Sequence, residues 1–280
     1  MLSVGPTPCS AEGAAELNCY HRAVSDRPVW LRPVSRRDVV KYASIAPALL
    51  GVSALIDAPR AGAGISGMGV FLDPGHNAGA DTSQQVNNGR GGTKPCNTSG
   101  AATNDGYSEH AFNWAVVGLI IGLLNEKGVR TELSRDSDNG VGPCVNERAA
   151  LANEMHPDAI VSIHADGGPP SGSGFHVNYS SPPLNDIQAG PAVQLAHMMR
   201  DALVQAGFQP STYIGSDGLY GRADLAGLNL AQYPAVLVEL GNMKNGDEAA
   251  RMESADGRAR YAAAVTQGIV AYLNTKAPGG

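Results

Sequence analysis

The sequence predicts an α/β fold: a single-domain sandwich with a mostly parallel central β-sheet and helices on both faces. Three observations predict it. Short apolar runs at Met68–Leu72, Asp158–Ile163 and Ala235–Leu240 have strand length and end in polar or turn-forming residues. Between them lie longer segments whose apolar residues recur three and four positions apart, the period of a helix. The run Ala235–Leu240 is nearly all apolar, as suits a central strand covered on both faces.

The elements follow in order. Met68–Leu72 stops at Asp73-Pro74-Gly75, a sharp turn, and His76 comes directly after it. Residues 77–106 are rich in Gly, Asn, Thr and Ser, and Gly89-Arg90-Gly91-Gly92-Thr93 is expected to be their most flexible part. A connection of that length points to a functional loop. It is not a phosphate loop, because no Gly-Lys-Ser/Thr ending occurs and no helix follows the glycines. Tyr107–Lys127 reads as a helix with Phe112, Val116, Leu119, Ile120 and Leu123 at helical spacing; Ser108 is its cap, Glu109 lies in its first turn and Gly128 ends it. Val129–Ser134 alternates as a strand, Asn146–His156 reads as a helix, and Asp158–Ile163 is a buried strand ending at His164. Gly174–Tyr179 alternates again and contains His176, which reads as a sheet residue. Pro191–Ala206 is a helix with His197 on its surface, residues 209–234 are irregular, and a last helix runs from about Asp256 to Leu273.

Composition excludes some classes of function. The formal net charge of −6 carries no nucleic-acid footprint, and no apolar run reaches the roughly 18 residues of a membrane span. The first sixty residues differ from the rest. Ser35-Arg36-Arg37-Asp38-Val39-Val40-Lys41 precedes an uncharged stretch from Tyr42 to Ile56, and Ala61-Gly62-Ala63 follows. That is the order of a basic n-region, an apolar h-region and a small-residue cleavage site, and the paired arginines resemble a twin-arginine export signal. We therefore expect residues 1–63 to be a leader and 64–280 the working domain, exported to the periplasm or cell-wall space. Thirteen of the 20 basic and 21 of the 26 acidic residues lie after residue 63, a net charge of −8 for that domain. Cys96 and Cys144, an even pair in an exported domain, are expected to form a disulfide.

Three strand ends carry candidate chemistry. His76, Glu109 and His164 are separated by 33 and 55 positions, so no short zinc motif joins them. Each has an ordinary reading: a turn histidine, a carboxylate favoured by a helix dipole, a histidine in a loop. In an open α/β sheet, however, the carboxyl ends of strands collect ligands, and two imidazoles with one carboxylate suit Zn²⁺ with a fourth position left for water. Glu239, at the end of the most apolar strand, needs a partner. It is read either as the group that serves that water or as half of an ion pair with an arginine such as Arg222.

The segments Leu72-Asp73-Pro74-Gly75-His76, a glutamate at a helix start, Ser162-Ile163-His164-Ala165 and Val236-Leu237-Val238-Glu239-Leu240-Gly241 resemble, in order, the motifs of the zinc-dependent N-acetylmuramoyl-L-alanine amidases. The compact form resembles the mycobacterial members most. The likeness covers about residues 68–275. It implies that His76, Glu109 and His164 hold zinc and that Glu239 is the catalytic carboxylate. The implied substrate is the amide between N-acetylmuramic acid and L-Ala of the peptidoglycan stem peptide. Two positions depart from the family pattern: Asp166 stands where asparagine is usual, and Asn242 where an aromatic or large apolar residue is usual.

Two rival functions stay open on sequence: a zinc peptidase cutting within the stem peptide, and a non-catalytic wall-binding protein. The expected partners are muropeptides rather than nucleic acid, and a monomer is expected. An acidic domain gains no electrostatic retention on an anionic wall, so soluble muropeptides are the expected substrates, with loop 77–106, its distal part tied down by Cys96, expected to fold over a bound stem peptide.

Overall fold

The computed structural model describes residues 64–277. The expected leader, residues 1–63, lies outside them. The elements, in chain order, are β1 (Gly69–Pro74), β2 (Asp81–Asn87), β3 (Thr93–Asn97), α1 (Glu109–Asn125), β4 (Arg130–Leu133), α2 (Val145–Met155), β5 (Ala159–Asp166), β6 (His176–Ser180), α3 (Asp186–Ala189), α4 (Pro191–Gln205), β7 (Leu219–Arg222), α5 (Ala226–Asn229), β8 (Ala235–Asn242), α6 (Gly246–Glu253) and α7 (Ala255–Asn274).

Six strands form one sheet in the order β4-β1-β5-β8-β6-β7. The pairs β1–β4, β1–β5, β5–β8 and β6–β7 are parallel, and β6–β8 is antiparallel. The sheet is therefore mostly parallel, and its near-continuous apolar strands β5 and β8 sit in the middle, where both faces are covered.

The side-chain period of two divides those strands between two different layers. Val70, Leu72, Val161, Ile163, Val236 and Val238 point to one face, where α1, α4 and α7 supply Phe112, Val116, Leu195, Met199, Tyr261 and Val265; this is the main core. The other face carries Phe71, Ile160 and Ala235, covered by a smaller cluster of Ala152 of α2, Leu228 of α5 and Ala231, with Met155, Leu225 and Tyr233 partly buried against it. Further along the same face, toward the carboxyl ends of the strands, the register sets Asp73 beside Ser162 and His164 beside Glu239, with His176 on Glu239's other side. The thinly covered face is thus the one that holds the polar residues.

Three expectations need correction. Residues 77–106 are not an irregular loop: β2 and β3 form an antiparallel ribbon with its turn at 88–92. Its glycines take left-handed backbone conformations, Gly89 at φ +82° and Gly91 at φ +79°, and this is what composition alone made to look flexible. The turn is pinned. Arg90 donates from Nε to Asn229 Oδ1 (3.0 Å), and from Nη2 to Ser180 Oγ (3.0 Å) and to the carbonyl of Pro182. The other end is tied by the Cys96–Cys144 bond, which links the ribbon to the start of α2 across 48 positions. Second, residues 209–234 contain β7 and α5. The last helix stands where expected, as α7; α6 precedes it, and Ser254, whose side chain accepts from Gly257 N–H, starts α7. Third, the strand expected from Gly174 begins at His176 and runs antiparallel to β8.

Candidate metal centre

β1 ends at Asp73-Pro74, and Gly75 N–H donates to the carbonyl of Ile163 on β5. His76 then takes a left-handed conformation at φ +61°, uncommon for a non-glycine residue. What holds it is a pair of buried arginines. Arg148 of α2 donates from Nη2 to the carbonyl of His76 (2.8 Å), and from Nη1 to the carbonyl of Pro74 (3.0 Å) and to Asp73 Oδ1 (2.8 Å). Arg135 donates from Nε to the carbonyl of Pro74 (2.8 Å). Asp73 also accepts from Ser134 Oγ (2.5 Å) and Ser162 Oγ (2.6 Å). Burial alone would raise the Asp73 carboxyl, but the Arg148 charge and the two hydroxyls outweigh it and hold it well below the usual carboxylate range.

The imidazole of His76 is fixed by its second nitrogen. Nδ1 lies 2.7 Å from the carbonyl of Thr98, which can only accept, so Nδ1 carries a hydrogen and Nε2 is the nitrogen turned towards Glu109. Nε2 stands 3.2 Å from Glu109 Oε1, and His164 Nδ1 stands 2.9 Å from the same oxygen. Glu109, at the first turn of α1, is oriented in turn: its Oε2 accepts from Ala101 N–H (2.7 Å) and its Oε1 from Ala165 N–H (3.2 Å). Helix α1 starts at Glu109 with Ser108 at the cap position, although the serine side chain makes no cap hydrogen bond.

His76, Glu109 and His164 each offer one ligand atom, and these atoms lie within 4.8 Å of one another. Two imidazole nitrogens and a carboxylate oxygen are a donor set for a borderline cation such as zinc. The backbone makes room for the crowding. A Cβ on Gly75 would fall 2.2 Å from His164 Cε1 and Nε2, and one on Gly100 would fall 2.4 Å from Glu109 Oε2. Electrostatics agree. Burial would raise the Glu109 carboxyl, but hydrogen bonds from His164 and His76 outweigh it and hold it well below its ordinary range. Burial pushes His164 down, towards the neutral form a ligand needs. His76 moves the other way: burial lowers it, and the Glu109 carboxylate more than offsets that.

Glu239 stands beside His164 across the β5–β8 pairing. Its carboxyl is raised well above the ordinary value by burial first, then by the charges of Glu109 and Asp166. Among the described residues its buried Oε2 has no hydrogen-bond partner. The ion pair with Arg222 is not formed; Arg222 is engaged by Asp224 through two contacts of 2.7 and 2.6 Å. His176 is a buried strand residue, as expected, pushed down to about 4 by burial. His197 is exposed. The two departures from the family pattern shape the neighbouring loop. Asp166 Oδ2 accepts from the Tyr213 hydroxyl (3.0 Å), and the Asn242 amide donates to the carbonyls of Pro169 (2.7 Å) and Gly172 (2.9 Å).

These residues open on a cavity of about 380 Å³ along the thinly covered sheet face. His76, His164, Glu239, Asp73 and Arg148 line one part, and Phe71, Ile160 and Leu237 line another. Sequence reasoning passed over Asp73, Arg148 and Lys94, which also lines the cavity. The Asp-Pro-Gly turn marked Asp73, but nothing local marked Arg148, 75 positions away.

A cation cradle next to a buried carboxylate of raised pKa, in a cavity at the strand ends, is the equipment of a metal-dependent hydrolase. The comparisons with known proteins agree. The family model described as N-acetylmuramoyl-L-alanine amidase (Amidase_3) matches residues 70–271, and the chain belongs to this family. The N-acetylmuramoyl-L-alanine amidase Rv3717 of Mycobacterium tuberculosis is 61% identical over 216 residues, covering 76% of this chain and 90% of that protein. Crystal structures of the N-acetylmuramyl-L-alanine amidase Ami1 are similar too. The Mycobacterium smegmatis structure is 58% identical, covers 75% of this chain and 99% of its own, and has a TM-score of 0.74. The apo Mycobacterium abscessus structure is 59% identical, covers 75% and 100%, and has a TM-score of 0.74. Among the described residues no helix is long and apolar enough to cross a membrane.

Proposed function

We propose that the protein hydrolyses the amide joining the lactyl group of N-acetylmuramic acid to L-Ala of the peptidoglycan stem peptide. In this reading His76, Glu109 and His164 hold a zinc ion and Glu239 carries the proton. The observation that supports it best is the juxtaposition itself: three ligand atoms within 4.8 Å of one another, with the Glu239 carboxyl on the neighbouring strand and its Oε2 unpartnered. When bound, zinc supplies Lewis-acid polarisation of a carbonyl and makes water more acidic.

The rest is the work of the chain. Glu109 and the two imidazoles are pre-set by their own hydrogen bonds, so little reorganises on loading. Glu239 takes a proton from the attacking water and returns it to the leaving nitrogen, acting as base and then as acid. A carboxyl raised by burial and by neighbouring carboxylates suits the second role. No covalent intermediate is required.

Export to the periplasm or cell-wall space, action as a monomer and muropeptides as working substrates complete the reading, with the leader signal and the family membership as their support. The test is to incubate the purified protein with muramyl dipeptide, with and without a chelator, and weigh the products. Release of an intact peptide with a free amino-terminal L-Ala, abolished by the chelator and restored by zinc, is expected. Cleavage after L-Ala would make the protein a peptidase, and turnover indifferent to chelation would remove the metal from the reaction.

A further inference from the structure

Besides the two histidines, three basic side chains line the cavity: Lys94, Arg148 and Arg222. Two have their carboxylates. Arg148 is paired with Asp73 at 2.8 Å and Arg222 with Asp224 at 2.6 Å. The third shares one: Lys94 Nζ donates to the backbone carbonyl of Asp224 at 3.1 Å, while the Asp224 carboxylate is engaged by Arg222, and among the described residues Lys94 forms no close ion pair of its own. An ammonium has three hydrogens to donate, and this one is half-buried. Desolvation by that burial is the largest influence on it and disfavours its charge, more than the nearby Asp224 carboxylate restores. A group in this position gains from an anion brought to it.

The cavity is also asymmetric. Its acidic members, Asp73, Asp166 and Glu239, lie at the strand ends near the metal ligands, whereas Lys94 lies where β3 meets the end of β7. Between them runs an apolar floor of Phe71, Ile160 and Leu237 faced by Ala152 and Leu228. A sugar would leave its hydroxyls unmatched against that floor, whereas a short peptide of small aliphatic residues would not. Lys94 is itself held in place, two residues from the Cys96–Cys144 bond and on the ribbon that Arg90 fastens to the body.

We propose that this cavity receives the peptide side of the scissile bond and that Lys94 binds a carboxylate of that peptide. The proposal rests on the amidase reading above and adds to it a substrate class, peptides with a free carboxylate beyond the alanine. Preference comes from pairing a desolvated charge, so amidating the substrate removes it.

The experiment compares kcat/KM for N-acetylmuramoyl-L-alanyl-D-glutamate and for its diamide. The wild type should prefer the acid by about tenfold or more, the effect of one charge-assisted hydrogen bond. Lys94→Met should bring that ratio to about one, chiefly through KM, and Lys94→Arg should keep most of it. Calorimetry supplies a readout without turnover: the product L-alanyl-D-glutamate should bind Lys94→Met about tenfold more weakly than wild type. A wild-type ratio near one overturns the proposal whatever the variants do, and so does a preference or a product affinity that survives Lys94→Met. Turnover of neither substrate by the wild type would refute the amidase reading instead.

Discussion

Replacing Arg148 with methionine should weaken the fold and the metal centre together. The side chain is 5% exposed. Its Nη1 serves Asp73 Oδ1 and the carbonyl of Pro74, its Nη2 the carbonyl of His76, and its Nε the carbonyl of Pro143. Methionine fills part of the volume and satisfies none of these. Asp73 keeps its two serine hydroxyls but loses its counter-charge, and breaking one side of a buried ion pair costs about 3–5 kcal/mol. The His76 carbonyl loses its one strong tether while its backbone sits at φ +61°. A ligand whose supporting hydrogen bonds are removed typically loses about 10–100-fold in metal affinity. Denaturant unfolding of the metal-free protein and zinc competition against a chromophoric chelator measure the two effects separately. Arg148→Lys should fall between, since it keeps the charge and loses the fork. Asp73→Asn with Arg148→Met should cost less than the sum of the single changes, because the orphaned charge disappears. A variant destabilised by the expected amount but with unaltered zinc affinity would refute the claim that Arg148 positions His76.

Gly100→Ala should lower zinc occupancy and turnover, because its Cβ would meet Glu109 Oε2 at 2.4 Å in a backbone at φ +78°; metal analysis of the purified variant checks it. The Asp73 carboxyl is held well below its unfolded value of about 3.9. Its stabilisation is therefore complete above that value and is lost as the pH falls below about 4 towards the folded pKa. Acid unfolding of metal-free protein should show this, and Asp73→Asn should flatten the dependence in that window. Removing the Cys96–Cys144 bond by a double serine replacement should cost about 4 kcal/mol, from the loop entropy of its 48-position span, as read by denaturant midpoints.

The parts legible in the sequence were those written in local pattern. The apolar runs at 68–72, 158–163 and 235–240 placed β1, β5 and β8. The turn at Asp73-Pro74-Gly75 announced His76, and the charged residue closing an apolar strand singled out Glu239. His76, Glu109 and His164 were separately ambiguous, and they became a site only through a sheet that sets strand ends 1, 5 and 8 side by side. The illegible parts depend on long-range pairing. The ribbon was hidden because turn-forming glycines and asparagines mask the alternation of β2 and β3. Its anchors, Asn229 and Ser180, lie 139 and 90 positions from Arg90. The support of His76 by Arg148 spans 72 positions, and a lone arginine on a helix face carries no sign of that use. Lys94 was unremarkable in sequence because its meaning lies in its place in the cavity without a close ion pair of its own, which only the assembled fold shows.

The proposed division of labour, with His76, Glu109 and His164 as ligands and Glu239 as proton carrier, is tested most directly by measuring zinc content and turnover on the same preparations of wild type, His76→Ala, His164→Ala and Glu239→Gln. The histidine variants should lose both zinc and activity, since each lacks one of three protein ligands. Glu239→Gln should keep zinc and an unchanged unfolding transition while turnover falls by about 10²–10⁴-fold, the usual worth of general acid–base help. Full zinc occupancy in either histidine variant, or loss of zinc in Glu239→Gln, would contradict the assignment.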